Sequence, residues 1–386
     1  MTLAGTSATS EVGTIGPTRS FGQPPRSSRG TELEPVRESR ARLGRCPVTG
    51  TATDLIYRRT NDGMAPAIEV DTLTKRYGDL VAVNQVSFTV AQGEVFAFLG
   101  PNGAGKSTTI NMLCTLARSS SGRARVAGYD VASQAKTVRR HIGLVFQEQT
   151  LDDQLTAEEN LRFHAVLYGV PHEQVEPRIA KVLDLVALSE RRKDLVSTYS
   201  GGMARRLEIA RGMLHTPKVL FLDEPTVGLD PQTRALMWED VLRMRKEEGV
   251  TIFLTTHYMD EAEYADRIAI IDYGSIVALD TPDALKASVG ADTVELETED
   301  DETALASLKR AGYTVERSDT GLTVFVADEE AAVGPLIEAI EAPVRTVRVH
   351  RPTLDDVFLH FTGREIREQH GEAVSMFARA RGARRR

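Results

Sequence analysis

Nine consecutive residues that follow an apolar run could bind the phosphates of a nucleotide. Eight of them match the pattern G-x-x-x-x-G-K-[ST], in which glycines let backbone N–H groups converge on phosphate oxygens. The lysine of this pattern neutralises the β and γ phosphates, and the final hydroxyl ligates Mg²⁺. A strand-like run, 95–99, precedes the pattern, and a predicted helix to about residue 116 follows it. The predicted nucleotide site consists of Gly100, Pro101, Asn102, Gly103, Ala104, Gly105, Lys106, Ser107 and Thr108.

A second pattern could supply the acidic groups for hydrolysis. The apolar run 219–222 ends in Asp223 and Glu224. In P-loop enzymes such an aspartate holds Mg²⁺, and an adjacent glutamate is placed to orient or deprotonate the attacking water. A strand that ends in Asp-Glu is by itself often only a solvated edge. Together with the phosphate loop, the pair predicts nucleotide hydrolysis.

A third pattern resembles a known family. Ser200, Gly201 and Gly202 lie 23 residues before Asp223 and precede a predicted helix. This kernel resembles the signature of ATP-binding cassette (ABC) ATPases, which other P-loop classes lack. The family usually has Leu and Gln at the flanking positions, where this chain has Tyr and Met. The resemblance covers about 66–290 and implies an enzyme that hydrolyses ATP to ADP and phosphate with Mg²⁺.

Four further positions match the family in the expected order. The resemblance implies that Tyr77 stacks on adenine, that Gln147 senses Mg²⁺ and the attacking water, and that His257 contacts the γ-phosphate. It also implies that Asp230, in a Val-Gly-Leu-Asp run, belongs to a loop that crosses between protomers. A lone histidine is more often a surface residue, but six ordered matches favour the functional interpretation. The implied catalytic residues are Glu224, His257 and Gln147, and the implied metal ligands are Ser107, Gln147 and Asp223.

The resemblance also implies partners. In the family, Ser200 and Gly202 of one protomer contact the γ-phosphate held by Lys106 of the other, so we expect a homodimer. The family docks a separate transmembrane permease on the helical region, here about 150–200. We therefore expect association with the cytoplasmic face of the cell membrane through such a permease.

The end of the chain resembles one subfamily. The stretches 352–359 and 362–364 are similar to the ending of daunorubicin-resistance ATP-binding subunits. This implies export of a drug, antibiotic or lipid-like compound. Export of a polysaccharide or another cargo by the same type of exporter is the alternative.

The elements that position these residues form an α/β pattern. We predict a P-loop cassette over 64–290, a helical subdomain at about 150–200, and a ferredoxin-like domain with β-α-β-β-α-β order over 291–363. Predicted core strands are 95–99, 142–146, 219–222, 251–255 and 268–271, and predicted helices of the subdomain are 156–168 and 172–188. In the second domain we predict strands 293–296, 313–317, 322–326 and 344–349, helices 302–311 and 329–340, a turn at 319–321 and a final helix 354–361.

Composition excludes several classes of protein. The 386 residues are 41% hydrophobic and 26% charged, which is typical of globular proteins with large cores. Two cysteines exclude a disulfide framework, and no apolar run approaches the ~18 to 20 residues that cross a bilayer. A formal net charge of −8 argues against nucleic acid as a partner.

Two basic tails flank the acidic middle of the chain. Residues 1–63 carry nine Arg and six acidic residues, and 364–386 carry seven Arg and three Glu, which leaves −15 for the middle. Because 1–63 lacks helical or strand periodicity, we predict a disordered N-terminal extension. Alternatively, the protein starts at or near Met64. Within the basic tail 364–386, the stretch 377–386 has five Arg and one Phe, which favours a disordered solubilising tail, with contact to anionic lipid head groups as the alternative.

Other functions and several single residues have competing interpretations. A translation-associated ABC protein would carry two cassettes, whereas this chain has one phosphate loop. A chromosome-structuring ATPase would insert a long coiled coil, for which the spacing of 117 positions from Lys106 to Asp223 leaves no room. A catalytically dead subunit is disfavoured by Glu224 and His257. Arg205 and Arg206 either help to hold phosphates or form a solvated helix face, and Cys114 is predicted to be a core residue.

Overall fold

A computed structural model describes residues 65–290, 292–318, 321–326 and 329–363, without the side chains of 329–332. The predictions for 1–63 and 364–386 lie outside these residues, and so does most of the turn predicted at 319–321. Within the described part, no helix combines the length and the apolar character needed to cross a bilayer.

The first described strands form an antiparallel sheet in which β1 lies between β2 and β4. The buried residues of β1 alternate with exposed ones only in part, because three register shifts interrupt its pairing with β2, after Val70, Leu73 and Lys75. This broken alternation is a weak signal for a strand in the sequence. The strands are β1 (Ile68–Tyr77), β2 (Leu80–Val90), β4 (Ser121–Val126) and β5 (Tyr129–Asp130).

The second sheet has six strands in the order β10-β9-β3-β8-β7-β6, all parallel except for the β9–β10 pair. β3 and β7 are buried over their whole length, as predicted for strands covered on both faces. All five predicted core strands are present. The strands are β3 (Val95–Leu99), β6 (Ile142–Val145), β7 (Val219–Asp223), β8 (Thr251–Thr256), β9 (Arg267–Asp272) and β10 (Ser275–Asp280).

Alternate side chains of β3 enter two different hydrophobic cores. Phe96 and Phe98 pack with Phe88 of the antiparallel sheet, and the rings of Phe88 and Phe96 stack at 5.3 Å. Val95 and Leu99 face the other way, into a core shared with the helices. The helices α1 (Lys106–Leu113) and α2 (Ala135–His141) contribute to the core that contains Phe88. The helices of the other core are α3 (Ala157–Leu167), α4 (His172–Leu185), α5 (Gly201–Met213), α6 (Pro231–Glu248), α7 (Met259–Ala262) and α8 (Pro282–Val289).

The two helices predicted between β6 and β7 are present as α3 and α4. A capping box formed by Thr156 and Glu159 begins α3, because each side chain satisfies a backbone N–H of the other residue. The α4 helix ends at Leu185, three residues earlier than predicted. Its continuation is broken because Ala187 has a left-handed backbone with φ of 50°.

The third sheet is antiparallel, with the order β12-β13-β11-β14. This order and the β-α-β-β-α-β succession are those of the predicted ferredoxin-like arrangement. Residues such as Val294, Leu308 and Val324 form a separate core. The elements are β11 (Asp292–Thr298), α9 (Asp301–Arg310), β12 (Thr314–Ser318), β13 (Gly321–Val326), α10 (Glu329–Glu338) and β14 (Val344–His350).

The last described helix, α11 (Leu354–Thr362), packs against the first part of the chain. Its buried residues Leu354, Val357 and Phe358 belong to the same core as Leu285 of α8. The sequence places this helix in the second domain, but its apolar face completes the core of the first.

Candidate functional site

The phosphate loop connects β3 to α1, and two of its glycines are required for different reasons. Gly103 has φ of 82°, a left-handed conformation that favours glycine, and a Cβ there would meet open space. Gly100 does not have a positive φ, but a Cβ there would lie 2.3 Å from the carbonyl oxygen of Ile271 in β9. Gly103 therefore permits a turn, and Gly100 permits the close approach of the loop backbone to β9.

Gly100→Ala is expected to destabilise the protein more than Gly103→Ala. At Gly103 the new methyl group has space, and only the left-handed backbone costs about 1–2 kcal/mol. At Gly100 the methyl group displaces β9 from β3, for which we expect a loss of about 3 kcal/mol. Urea unfolding of both variants measures the difference. Equal stabilities would contradict the close approach.

Lys106 lies at the first turn of α1 and is almost completely buried. Its Nζ donates hydrogen bonds to the carbonyl oxygens of Gly100, at 2.7 Å, and Pro101, at 3.2 Å, and lies 3.1 Å from Oε1 of Glu224. Burial lowers the pKa of Lys106, and the neighbouring Glu224 carboxylate partly opposes this effect. The loop therefore directs a buried ammonium group toward the end of β7.

Asp223, at the end of β7, lies beside Ser107 of α1. The Ser107 hydroxyl donates to Oδ1 of Asp223 at 3.2 Å, and the hydroxyl of Thr255 in β8 donates to the same oxygen at 2.5 Å. Burial raises the pKa of Asp223, while the bond from Thr255 lowers it. The parallel pairing of β7 with β8 places these residues together.

The oxygen donors of this site fit Mg²⁺ when phosphates complete its coordination. Mg²⁺ prefers oxygen ligands and usually takes one or two from carboxylates and the rest from phosphates and water. The hydroxyl of Ser107 and the carboxylate of Asp223 are such donors, and the side-chain amide of Gln147 lies nearby, 3.3 Å from Glu224. Among the described residues, no group of three or more His, Cys, Asp or Glu side chains could hold a metal ion. Phosphates and water would therefore supply the other ligands.

Glu224 is the centre of the site, and its backbone is strained. Its φ is 47°, which a residue with a side chain adopts only when the surrounding structure imposes it. Its N–H donates to the carbonyl oxygen of Thr255 at 3.1 Å. Its carboxylate contacts Lys106, the amide of Gln147, and Nδ1 of His257 at 3.4 Å.

The carboxylate of Glu224 is ionised although it is buried. Burial alone would raise its pKa, but the contact with His257 and the charge of Lys106 more than compensate and lower the pKa to about 2. The structure thus brings Lys106, Ser107, Gln147, Asp223, Glu224 and His257 into one cluster.

The signature kernel lies at the start of α5, outside this cluster. The Ser200 hydroxyl accepts a bond from the backbone N–H of Met203 and caps the helix. A Cβ at Gly202 would lie 2.2 Å from Cγ2 of Thr233, so glycine permits contact between α5 and α6. Asp230 caps α6 by accepting from the N–H of Thr233 at 3.0 Å. No hydrogen bond or ion pair described for residues 200–202 reaches Lys106 or Glu224.

Tyr77 lies at the end of β1 with 51% of its surface exposed. The ammonium group of Lys75 lies 4.8 Å from the centre of its ring. The ring therefore offers an open face for stacking. Nothing described joins it to the acidic cluster.

The structure corrects both interpretations of Arg205. Arg205 is buried, and its guanidinium donates to the carbonyl oxygens of Phe146 and Pro225, both at 2.5 Å. It is neither a solvated residue nor directed at the phosphate loop. Arg206, half-buried, donates to the carbonyl oxygen of Val186. Thr255, whose hydroxyl donates to Asp223, is a residue of the site that the sequence analysis did not identify. Its position near the end of a predicted strand, two residues before His257, could have indicated it.

The fold and the cluster define an ATP-binding cassette, and comparison with known proteins agrees. Residues 83–227 match the family described as ABC transporter, and residues 281–362 match the C-terminal domain of DrrA1-3-like ATP-binding proteins. The chain is 41% identical to a daunorubicin resistance ATP-binding protein of Streptomyces coeruleorubidus, over 78% of this chain and 97% of that protein. It belongs to the ABC transporter ATP-binding subunits, and it is the ATP-hydrolysing subunit of an ABC exporter.

Further relatives and solved structures are consistent with this assignment. A linearmycin resistance ATP-binding protein of Bacillus subtilis is 38% identical over 78% of this chain and all of its own length. A Nod factor export ATP-binding protein of Burkholderia orbicola is 39% identical over 78% of this chain and 98% of its own. The cbiO1 cassette of Clostridium perfringens superposes with a TM-score of 0.55 and 29% identity, covering 58% of this chain and 92% of that one.

Proposed function

We propose that this subunit energises the export of a drug, antibiotic or lipid-like compound through a separately encoded permease at the cytoplasmic face of the membrane. The observation that carries the proposal is the Glu224 carboxylate, held between Lys106 and Gln147 beside the phosphate loop. The drug-resistance names of two relatives and the matching C-terminal domain favour this cargo class. The relative named for Nod factor export supports the alternative of a polysaccharide or another cargo.

In the proposed reaction, ATP binds with its β and γ phosphates on the loop 100–108. The ammonium group of Lys106 then pairs with the phosphates instead of with Glu224. The Glu224 carboxylate is thereby free to accept a proton from the attacking water. Gln147 orients that water and His257 contacts the γ-phosphate. Mg²⁺, held by Ser107, Asp223 and Gln147, would neutralise phosphate charge when bound.

We propose that a second copy of the chain completes the site. The N-terminus of α5, at Ser200 and Gly202, presents the backbone N–H groups of a first helical turn and a positive dipole end, which favour a phosphate. No bond described for this kernel reaches the acidic cluster of its own chain, which favours a phosphate held by the partner. A dimeric ATP-binding cassette bound to ADP and Pi, with 25% identity and a TM-score of 0.50 over 55% of this chain and 98% of that one, supports a dimer.

The surface that we propose for the permease is an apolar patch on α3. Phe163, Val166 and Leu167 are adjacent on this helix and are each more than half exposed. Exposed apolar patches of this kind are typical of protein interfaces. The helix follows the segment that carries Gln147, so a permease here would act next to the water-orienting residue.

Co-purification from native membranes tests the proposed function. A tagged chain is expected to retain a multi-spanning membrane protein, and Phe163→Asp is expected to reduce its recovery at least fivefold. Val349→Asp is the matched control, because Val349 is an exposed apolar residue of β14 in the third sheet. Recovery of ribosomes or DNA instead of a membrane protein would reject the proposal.

GTP is expected to compete with ATP within about tenfold. If Tyr77 recognises adenine by stacking, discrimination is small, because every base offers a stacking face. Displacement of a fluorescent ATP analogue by ATP and by GTP measures the ratio, and Tyr77→Phe, which retains the ring, serves as the control. Rejection of GTP by a hundredfold or more would require a contact to the edge of the base.

A further inference from the structure

Two buried charged residues of α5 form an ion pair that lies one to two turns from the signature kernel. Arg205 is 8% exposed and Glu208 is 1% exposed, and Nη1 of Arg205 lies 2.8 Å from Oε2 of Glu208. Charged residues are buried to this degree only when they are paired and hydrogen-bonded. Their remaining hydrogen bonds therefore indicate what the pair does.

This ion pair holds both ends of the segment that contains Gln147. Nη1 of Arg205 donates to the carbonyl oxygen of Phe146 at 2.5 Å. Oε1 of Glu208 accepts from the backbone N–H of Thr150, at 2.7 Å, and from the Thr150 hydroxyl, at 3.0 Å. Gln147 lies between these two attachment points, directly after Phe146, and its amide donates to Oε2 of Glu224 at 3.3 Å.

The same arginine also holds the loop that follows β7. Its Nε donates to the carbonyl oxygen of Pro225 at 2.5 Å, and its Nη2 lies 3.4 Å and 3.5 Å from the carbonyl oxygens of Asp223 and Glu224. These bonds surround the strained backbone of Glu224. A strained conformation persists only when several contacts impose it, and Arg205 provides such contacts.

We infer that Arg205 and Glu208 are positioning residues that set Gln147 against Glu224 and join both to α5. Glu208 acts through the segment 146–150, whereas Arg205 acts through that segment and the loop 223–225. Neither side chain has a described bond to the phosphate loop. The inference rests on the proposed roles of Gln147 and Glu224.

A double-mutant cycle of the full-length chain tests this inference. Glu208→Gln keeps the shape of the side chain but removes its charge, and we expect kcat for ATP to fall about tenfold with KM within twofold. In the Gln147→Ala background, the same change is expected to lower kcat by less than twofold, because the residue through which it acts is already absent. Arg205→Lys is expected to retain an effect in that background, since it also loosens the loop at Pro225.

Arg206→Lys is the matched control, because Arg206 is the next residue of the same helix and donates to Val186 instead of the segment 146–150. Its kcat is expected to stay within twofold, and the melting temperature of each variant identifies losses caused by unfolding. An equal loss from Glu208→Gln in both backgrounds, or a rise in KM alone, would overturn the inference. Wild-type turnover by Gln147→Ala alone would instead reject the proposed role of Gln147, and the inference with it.

Discussion

Glu224→Gln is expected to lower ATP turnover at least a hundredfold while leaving Mg-ATP binding intact. The substitution keeps the shape of the side chain but removes the carboxylate that would accept the proton of the attacking water, and such a base typically contributes 10²–10⁴-fold. Because hydrolysis would separate two chains that share ATP, the variant is expected to accumulate as an ATP-dependent dimer. Phosphate release, nucleotide titration and size-exclusion chromatography measure the three effects.

Glu94→Gln is the matched control for this variant. Glu94 is equally buried and paired, with its carboxylate 2.6 Å from Nε of Arg267, but it lies outside the site. Its turnover is expected to stay within about twofold of wild type even if its melting temperature falls. Near wild-type turnover by Glu224→Gln would show that another group is the base, and the proposed mechanism would then be wrong.

Ser200→Arg is expected to reduce turnover on the order of a hundredfold without changing any residue of the acidic cluster. In the proposed dimer, Ser200 of one chain reaches the γ-phosphate of the other, and an arginine there would obstruct the contact of the two chains. That obstruction would withdraw the backbone N–H donors of the kernel from the phosphate, and loss of preorganised donors at a reacting group costs a comparable factor in other enzymes. Steady-state ATP hydrolysis by the purified variant measures the effect.

Ser200→Ala separates this effect from the loss of the helix cap. It removes the bond to the N–H of Met203, worth about 1 kcal/mol of stability, but adds no bulk at the interface. We expect its turnover within about fivefold of wild type.

Mixing Ser200→Arg chains with Glu224→Gln chains leaves one sound site in each mixed dimer, so the mixture is expected to stay below half of wild-type turnover. Full turnover of Ser200→Arg alone would contradict the shared site.

Local patterns were sufficient to predict most elements of the fold. β3 was predicted with its observed limits, because all five of its residues are buried and apolar. The ferredoxin-like order of the third sheet was also predicted, since each of its strands is short and bounded by turns. The first antiparallel sheet was largely missed, because register shifts within β1 disturb the alternation on which such predictions depend. The end of α4 was placed too late because a left-handed Ala187 has no compositional signal.

For the site, residue types and their spacing predict a chemistry, whereas the fold shows which backbone and side-chain groups hold those residues. Lys106 and Glu224 were recognisable because the phosphate loop and the end of β7 have characteristic neighbours along the chain. The buried hydrogen bonds of Arg205 were not recognisable from the sequence, because its partner Phe146 lies 59 residues away. Sequence patterns report interactions among neighbouring residues, whereas a buried charge takes whichever backbone oxygens the assembled strands bring within reach. The parallel pairing of β6 with β7 brings those oxygens to one guanidinium.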